Sequence, residues 1–186
     1  MTALIVLAVI ATIILYAIVL YNRLVKFKQL VEEGWSGIDV QLKRRSDLIP
    51  NLLETVRGYM THERETLERV TELRAQAQAA GGDVEKRGRA EGALGQALAN
   101  LFAVAENYPD LKANQNFLAF QNSLSEIEDE IQLSRRYYNG AARNNNVLVG
   151  QFPSNLVAST FSFQTAEYFE IEDSSDRAVP KVGFES

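Results

Sequence analysis

Nineteen consecutive residues, Ala3 to Tyr21, carry no charge and read ALIVLAVIATIILYAIVLY. No other feature constrains the chain as strongly. A helix of that length reaches roughly 28 Å, close to the hydrocarbon thickness of a bilayer. Its many β-branched residues would weaken a helix in water. In lipid the backbone has no other partner than itself, so the helix is forced. Tyr21, Asn22 and Arg23 then form an interfacial anchor. A cleavable signal peptide is the competing reading. It is opposed by the missing basic n-region, an apolar run longer than the usual h-region, and the absence of a small-x-small cleavage site. Residues 1–22 are therefore expected to be an uncleaved transmembrane anchor that contacts membrane lipid through residues 3–21. Only Met1 and Thr2 precede the span, whereas Arg23, Lys26 and Lys28 follow it. The positive-inside rule then favours an outside N-terminus and a cytoplasmic body.

Composition excludes much of the remaining functional space. The 186 residues include no Cys and one His, with a net charge of −5. Disulfides, thiolate metal sites, cysteine nucleophiles and any site needing two imidazoles are ruled out. The mild acidity argues against a nucleic-acid binder. The charge is also unevenly placed: residues 167–186 hold six acids against two bases.

From Val31 onward, apolar residues recur at spacings of four and three: Val31, Trp35, Ile38, Leu42, Ile49, Leu52, Val56, Tyr59, Val70, Leu73 and Ala77. Arg45, Glu63 and Thr66 occupy the vacancies of this seven-residue repeat, which marks coiled-coil-like helices packing at small crossing angles. Pro50 admits two readings. Retained phase favours one kinked helix, while Ser46 and Asp47 as N-caps, with proline in the first turn, favour a turn. The turn is preferred, because helices over 23–46, 50–79, 89–107 and 110–150 could pack side by side. A single helix would leave its membrane-proximal half without partners. Gly81-Gly82 and Tyr108-Pro109-Asp110 mark further breaks. Gly88, Gly92 and Gly95 suggest close approach to a neighbouring helix. The last helix presents Phe117, Phe120, Leu124, Ile127, Ile131, Tyr138 and Leu148 on one face and ends before Phe152-Pro153. The expected fold is thus all-α: a transmembrane helix, then an antiparallel, up-and-down-like bundle of four long helices.

Catalytic chemistry finds no footing. His62 has Tyr59, not Glu, three residues before it, so a di-iron repeat is missing; it reads as an exposed helix residue. Glu126, Glu128, Asp129 and Glu130 lack the Gly-turned loop of a calcium site and read as a solvated face near Arg135 and Arg136. No catalytic residue, cofactor site, metal site or small-molecule substrate is expected. Two interaction candidates remain. The aromatics Phe152, Phe161, Phe163, Tyr168 and Phe169 must be covered by the bundle, a second subunit or the membrane surface. Docking on protein is favoured, since the acidic end would be repelled by anionic lipid; Glu172 to Ser186 is expected to be poorly ordered. Lys43, Arg44, Arg45 and Asp47 form either a headgroup-binding patch or, as preferred, an ion-pair cluster with acids of the last helix. Arg45, at a core position, should be paired.

The string WSGIDVQLKRRSDLIPNLLETVRGY at 35–59 resembles the LemA family of bacterial single-pass membrane proteins. So do ENYPDLKAN at 106–114, RRYYN at 135–139, FPSNLVA at 152–158 and the pattern of Phe161, Phe163 and Tyr168-Phe169. The resemblance implies an N-terminal anchor in the bacterial inner membrane, a body of long helices over 23–160 followed by a tail over 161–186, and no assigned catalytic or ligand residues. Two departures are local. Gly34 stands where the family tends to carry Ala, and Asn144-Asn145-Asn146 replaces a Tyr-Asn-Thr-like stretch, which should loosen the helix end. The functional expectation is a non-enzymatic membrane scaffold or adaptor that self-associates or binds other membrane proteins. An array-forming envelope-organising or membrane-remodelling protein, with a lateral surface at Gly88–Ala99, and an accessory to a membrane protease are the alternatives.

Overall fold

The apolar run is helical, and the helix that carries it does not stop at the end of the run. A computed structural model describes residues 1–170; the acidic end beyond Glu170, including the segment expected to lack order, lies outside the described residues. Six helices follow in order: α1 Thr2–Arg57, α2 Arg64–Ala79, α3 Val84–Ala105, α4 Pro109–Lys112, α5 Gln115–Gly150 and α6 Ser154–Thr160. No strand occurs among the described residues. The all-α expectation holds, with four long helices, the first of which includes the apolar run. That run is long and apolar enough to cross a membrane, and almost none of its surface is covered by the rest of the protein.

The helices are organised in two compact units. The first comprises Met1–Asp47 and Ser123–Tyr168. Here α1 and α5 pack antiparallel, as three rungs show. Leu24 shares a buried cluster with Leu148 and Ala158. Trp35 meets Tyr138 with ring centroids 5.7 Å apart. Arg45 bonds Glu128 at 2.8 Å. Each step of about ten residues up α1 is matched by an equal step down α5. Ile38, Leu42, Ile131 and Ala142 are fully buried along this seam. At its middle a Cβ on Gly34 would stand 3.0 Å from the Tyr138 Cα, so the glycine sets how closely the helices approach.

The second unit comprises Leu48–Asn122 and the chain from Phe169. The end of α1 contributes Ile49, Leu52 and Val56, all fully buried. α2 and α3 pack together across a turn in which Gly81 takes φ +62°, a left-handed conformation that favours glycine. Asp83 then caps α3 by accepting from the Lys86 amide at 3.0 Å. That bond and the Lys86 ammonium hold its carboxyl below the ordinary range. Asn114 caps α5, its Oδ1 accepting from the amides of Asn116 and Phe117 at 2.9 and 3.1 Å.

The expected turn at Ser46–Pro50 is not there: α1 runs through it, and the chain turns over Gly58–Glu63 instead. An interior proline costs a helix about 3 kcal/mol. Each of Leu42, Ile49, Leu52 and Val56 gains roughly 1.5–3 kcal/mol from burial, and all four are fully buried. Breaking their shared phase would cost more than keeping Pro50. The half of α1 that follows the apolar run does not lack a partner: it packs on the C-terminal half of α5. His62 consequently lies in a turn, exposed, and not on a helix.

Gly34→Leu should force α5 outward against the Tyr138 backbone, at a cost of about 1–3 kcal/mol for overpacking. Trp35 is the chain's single tryptophan, so its emission should shift to the red as the Tyr138 contact opens, with a lower Tm.

Candidate interaction surfaces

The aromatic residues singled out from the sequence do not form one patch. In the first unit Phe161 and Phe163 meet the Tyr21 ring edge-on, at centroid distances of 4.8 and 5.6 Å. Tyr21 closes the apolar run, so these two rings sit where the span ends. Phe152 and Tyr168 are exposed, at 78% and 44%. Phe169, in the second unit, is fully buried.

The tail reaches these positions by a defined path. α6 ends at Thr160 with Phe161 as its cap, and Ser162 turns the chain with φ 57°, the left-handed exit common at helix ends. The strand-like segment that follows is held by α5 side chains. Asn145 Nδ2 donates to the Gln164 carbonyl at 3.1 Å. Asn146 Nδ2 donates to the Ala166 carbonyl at 2.8 Å, and its Oδ1 accepts from the Ala166 amide at 2.7 Å. Tyr138 donates its hydroxyl to the Glu167 carbonyl at 2.8 Å. Burial, and then the charge of Glu167, raise the Tyr138 phenol above its ordinary value of 10.0. The Asn run therefore does not loosen the helix, which continues to Gly150. It supplies donors and acceptors to an extended segment whose own backbone has no ladder. Asparagines on the buried side of an amphipathic helix were the sequence signal for this clamp.

Gly88 answers the same need in the second unit. A Cβ there would come within 2.4 Å of the Glu170 carbonyl oxygen and 3.6 Å of the Phe169 ring. The neighbour it admits is the tail backbone, not another helix. Beside it, Arg87 and Glu91 form a buried ion pair at 2.8 Å, with side-chain exposures of 10% and 2%. Only their i,i+4 spacing could have announced that pair.

The basic cluster divides similarly. Arg45 is buried and paired with Glu128 of α5, as its core position demanded. Lys43, Arg44 and Asp47 are exposed, and Arg44 bonds Gln41 on its own helix at 3.0 Å. Among the described residues no group of three or more His, Cys, Asp or Glu is placed to hold a metal ion.

One long apolar helix among the described residues, a paired α1–α5 seam and a clamped aromatic tail are the context in which the chain's sequence matches the LemA family over residues 34–184. The chain belongs to the LemA family. Among its relatives, Magnetosome protein MamQ 2 of Paramagnetospirillum magneticum is 26% identical over 204 residues, covering 95% of this chain and 75% of the relative. Protein LemA of Metamycoplasma hominis is 29% identical over 154 residues, covering 82% and 69%. Magnetosome protein MamQ of Magnetospirillum gryphiswaldense is 24% identical over 184 residues, covering 86% and 68%. None of these names is that of an enzyme. The apolar N-terminal helix and this kinship support a membrane protein of the LemA family.

Two substitutions test the clamp. Asn146→Ala should cost about 1–3 kcal/mol by leaving part-buried tail groups without partners, and should speed hydrogen exchange at the Ala166 amide. Tyr138→Phe removes a pH dependence. A raised acid favours its neutral form when folded, so its stabilisation is complete below the ordinary phenol value of 10.0 and is lost as pH rises through the raised one. Alkaline release of the tail, followed by limited proteolysis, should therefore be present in the native chain and absent in the variant.

Proposed function

We propose that this LemA-family protein is a membrane-anchored, non-enzymatic scaffold that presents a helical surface to a second copy or to another membrane protein. One observation carries the reading. On the outer face of α5, Leu133, Tyr137 and Val147 are exposed at 50%, 49% and 55%. They follow helix spacing, with Gly140 between them and nothing within 4 Å of a Cβ built there. This is the i, i+4, i+7 pattern by which a helix offers a seam to another helix; Tyr137 stands at the edge of the stripe nearest α1, its Cδ1 3.1 Å from a Cβ built on Gly34.

The anchor supports the same reading. Arg23–Asp47 extends the span by 25 residues of uninterrupted helix, roughly 38 Å at 1.5 Å per residue. α1 thus sets the height of the α5 stripe above the bilayer without a hinge. Relatives named as magnetosome proteins are compatible with a role in organising a membrane-bounded structure. Arg23, Lys26 and Lys28 after the span favour a cytoplasmic body.

The chain has no Cys, so Leu133→Cys and Val147→Cys give single-cysteine proteins with no background. Oxidative crosslinking in native membranes should yield a covalent dimer or a discrete adduct from both. Strictly monomeric protein from both, in native membranes, would remove the basis of the scaffold reading. A reporter fused after Ser186 should be active on the cytoplasmic side; activity only outside overturns the orientation.

A further inference from the structure

The corner between α5 and α6 exposes large apolar side chains at the level where the span leaves the bilayer. We propose that this corner, Gln151–Phe161, is a second membrane contact that lies in the lipid interface beside the span. The proposal depends on the span but not on the scaffold reading.

The α1–α5 rungs set the height. Leu148 packs with Leu24, so the antiparallel register carries Gly150, the last residue of α5, to the level of Asn22, the first polar residue after the span. The chain then folds back. Ser154 Oγ donates to the carbonyls of Leu148 and Gln151, at 2.7 and 3.0 Å. Ala158 packs onto Leu24, and Phe161 lies against Tyr21. The corner is thus pinned at its start to the end of α5 and at its end to Tyr21 and Leu24 of α1.

Its large outward side chains are apolar, Phe152 at 78%, Leu156 at 58% and Phe161 at 59% exposure, and the other exposed residues, Gln151, Ser159 and Thr160, are uncharged. In water such a set is costly; at a bilayer interface it is the composition expected of a peripheral anchor. Charge agrees. Asn144–Ala166 is 23 residues without a charged side chain, and no Asp or Glu occurs from Ile131 to Ala166, where Arg135, Arg136 and Arg143 stand. On α1 the first charges beyond Tyr21 are Arg23, Lys26 and Lys28. Acids begin on α1 only at Glu32 and on the tail only at Glu167. The end of the unit facing the membrane is therefore uncharged or basic, which suits a bilayer carrying anionic lipid.

Because the chain lacks Cys, single cysteines can carry a nitroxide label on the full-length protein in phosphatidylcholine–phosphatidylglycerol vesicles. Labels at Phe152→Cys and Leu156→Cys should be relaxed more by oxygen, which partitions into lipid, than by a water-soluble nickel chelate. Ile10→Cys, inside the span, should behave the same way. Val40→Cys, 53% exposed on α1 and roughly 28 Å further from the membrane than Tyr21, should show the reverse. If Ile10 reports lipid while Phe152 and Leu156 match Val40, the proposal is overturned and the span stands. If Phe152 and Leu156 are shielded from both reagents, the corner is covered by protein, and the proposal is equally overturned.

Discussion

A backbone inside hydrocarbon must bond to itself, and at the N-terminus of this chain that demand imposes a helix over residues whose propensities would not choose one in water. The helix so formed has no break until Arg57. Its axis carries the direction of the apolar run on into the first unit. The first unit inherits that frame. α5 is placed by packing against α1 at Leu24, Gly34, Trp35 and Arg45. The tail is placed in turn by α5. Position is passed along a chain of contacts that starts at the apolar run.

Buried polar groups mark the points where this transfer is exact in register. Apolar contacts along α1 and α5 would tolerate some sliding, whereas Arg45 on Glu128 would not, because a buried guanidinium without its carboxylate costs several kcal/mol. Asn145, 3% exposed, and the half-buried Asn146 do the same for the tail. In the second unit, the Arg87–Glu91 pair lies on one helix. Each neutralises the other's charge inside the core.

Helix content, the apolar span and most of the buried faces were legible in the sequence because they depend on periodicity, which is local. Ile38, Leu42, Leu52, Val70, Leu73, Leu124 and Ile131 are buried as their spacing required. Breaks were less legible, because they are decided by comparison. Pro50 looks like a stop until the burial on either side is weighed against it. Gly58 is a weak signal that becomes a turn because the repeat loses its apolar residues at Glu63 and Thr66. The separate fates of the aromatics could not be read at all. Phe161 lies on Tyr21 and Phe169 is buried near Gly88, contacts across more than eighty residues that no local pattern records. For the same reason Gly88 could be recognised as a site of close approach while its neighbour was misassigned.

The clamp on the tail addresses main-chain atoms throughout: the carbonyls of Gln164, Ala166 and Glu167 and the amide of Ala166. Recognition of this kind does not depend on which side chains the segment carries, apart from proline at Ala166, where the amide is needed. It depends strictly on their number. From Gln164 to Glu167 the clamp constrains the length of the chain more than its letters: one residue gained or lost would offset every later carbonyl from its donor.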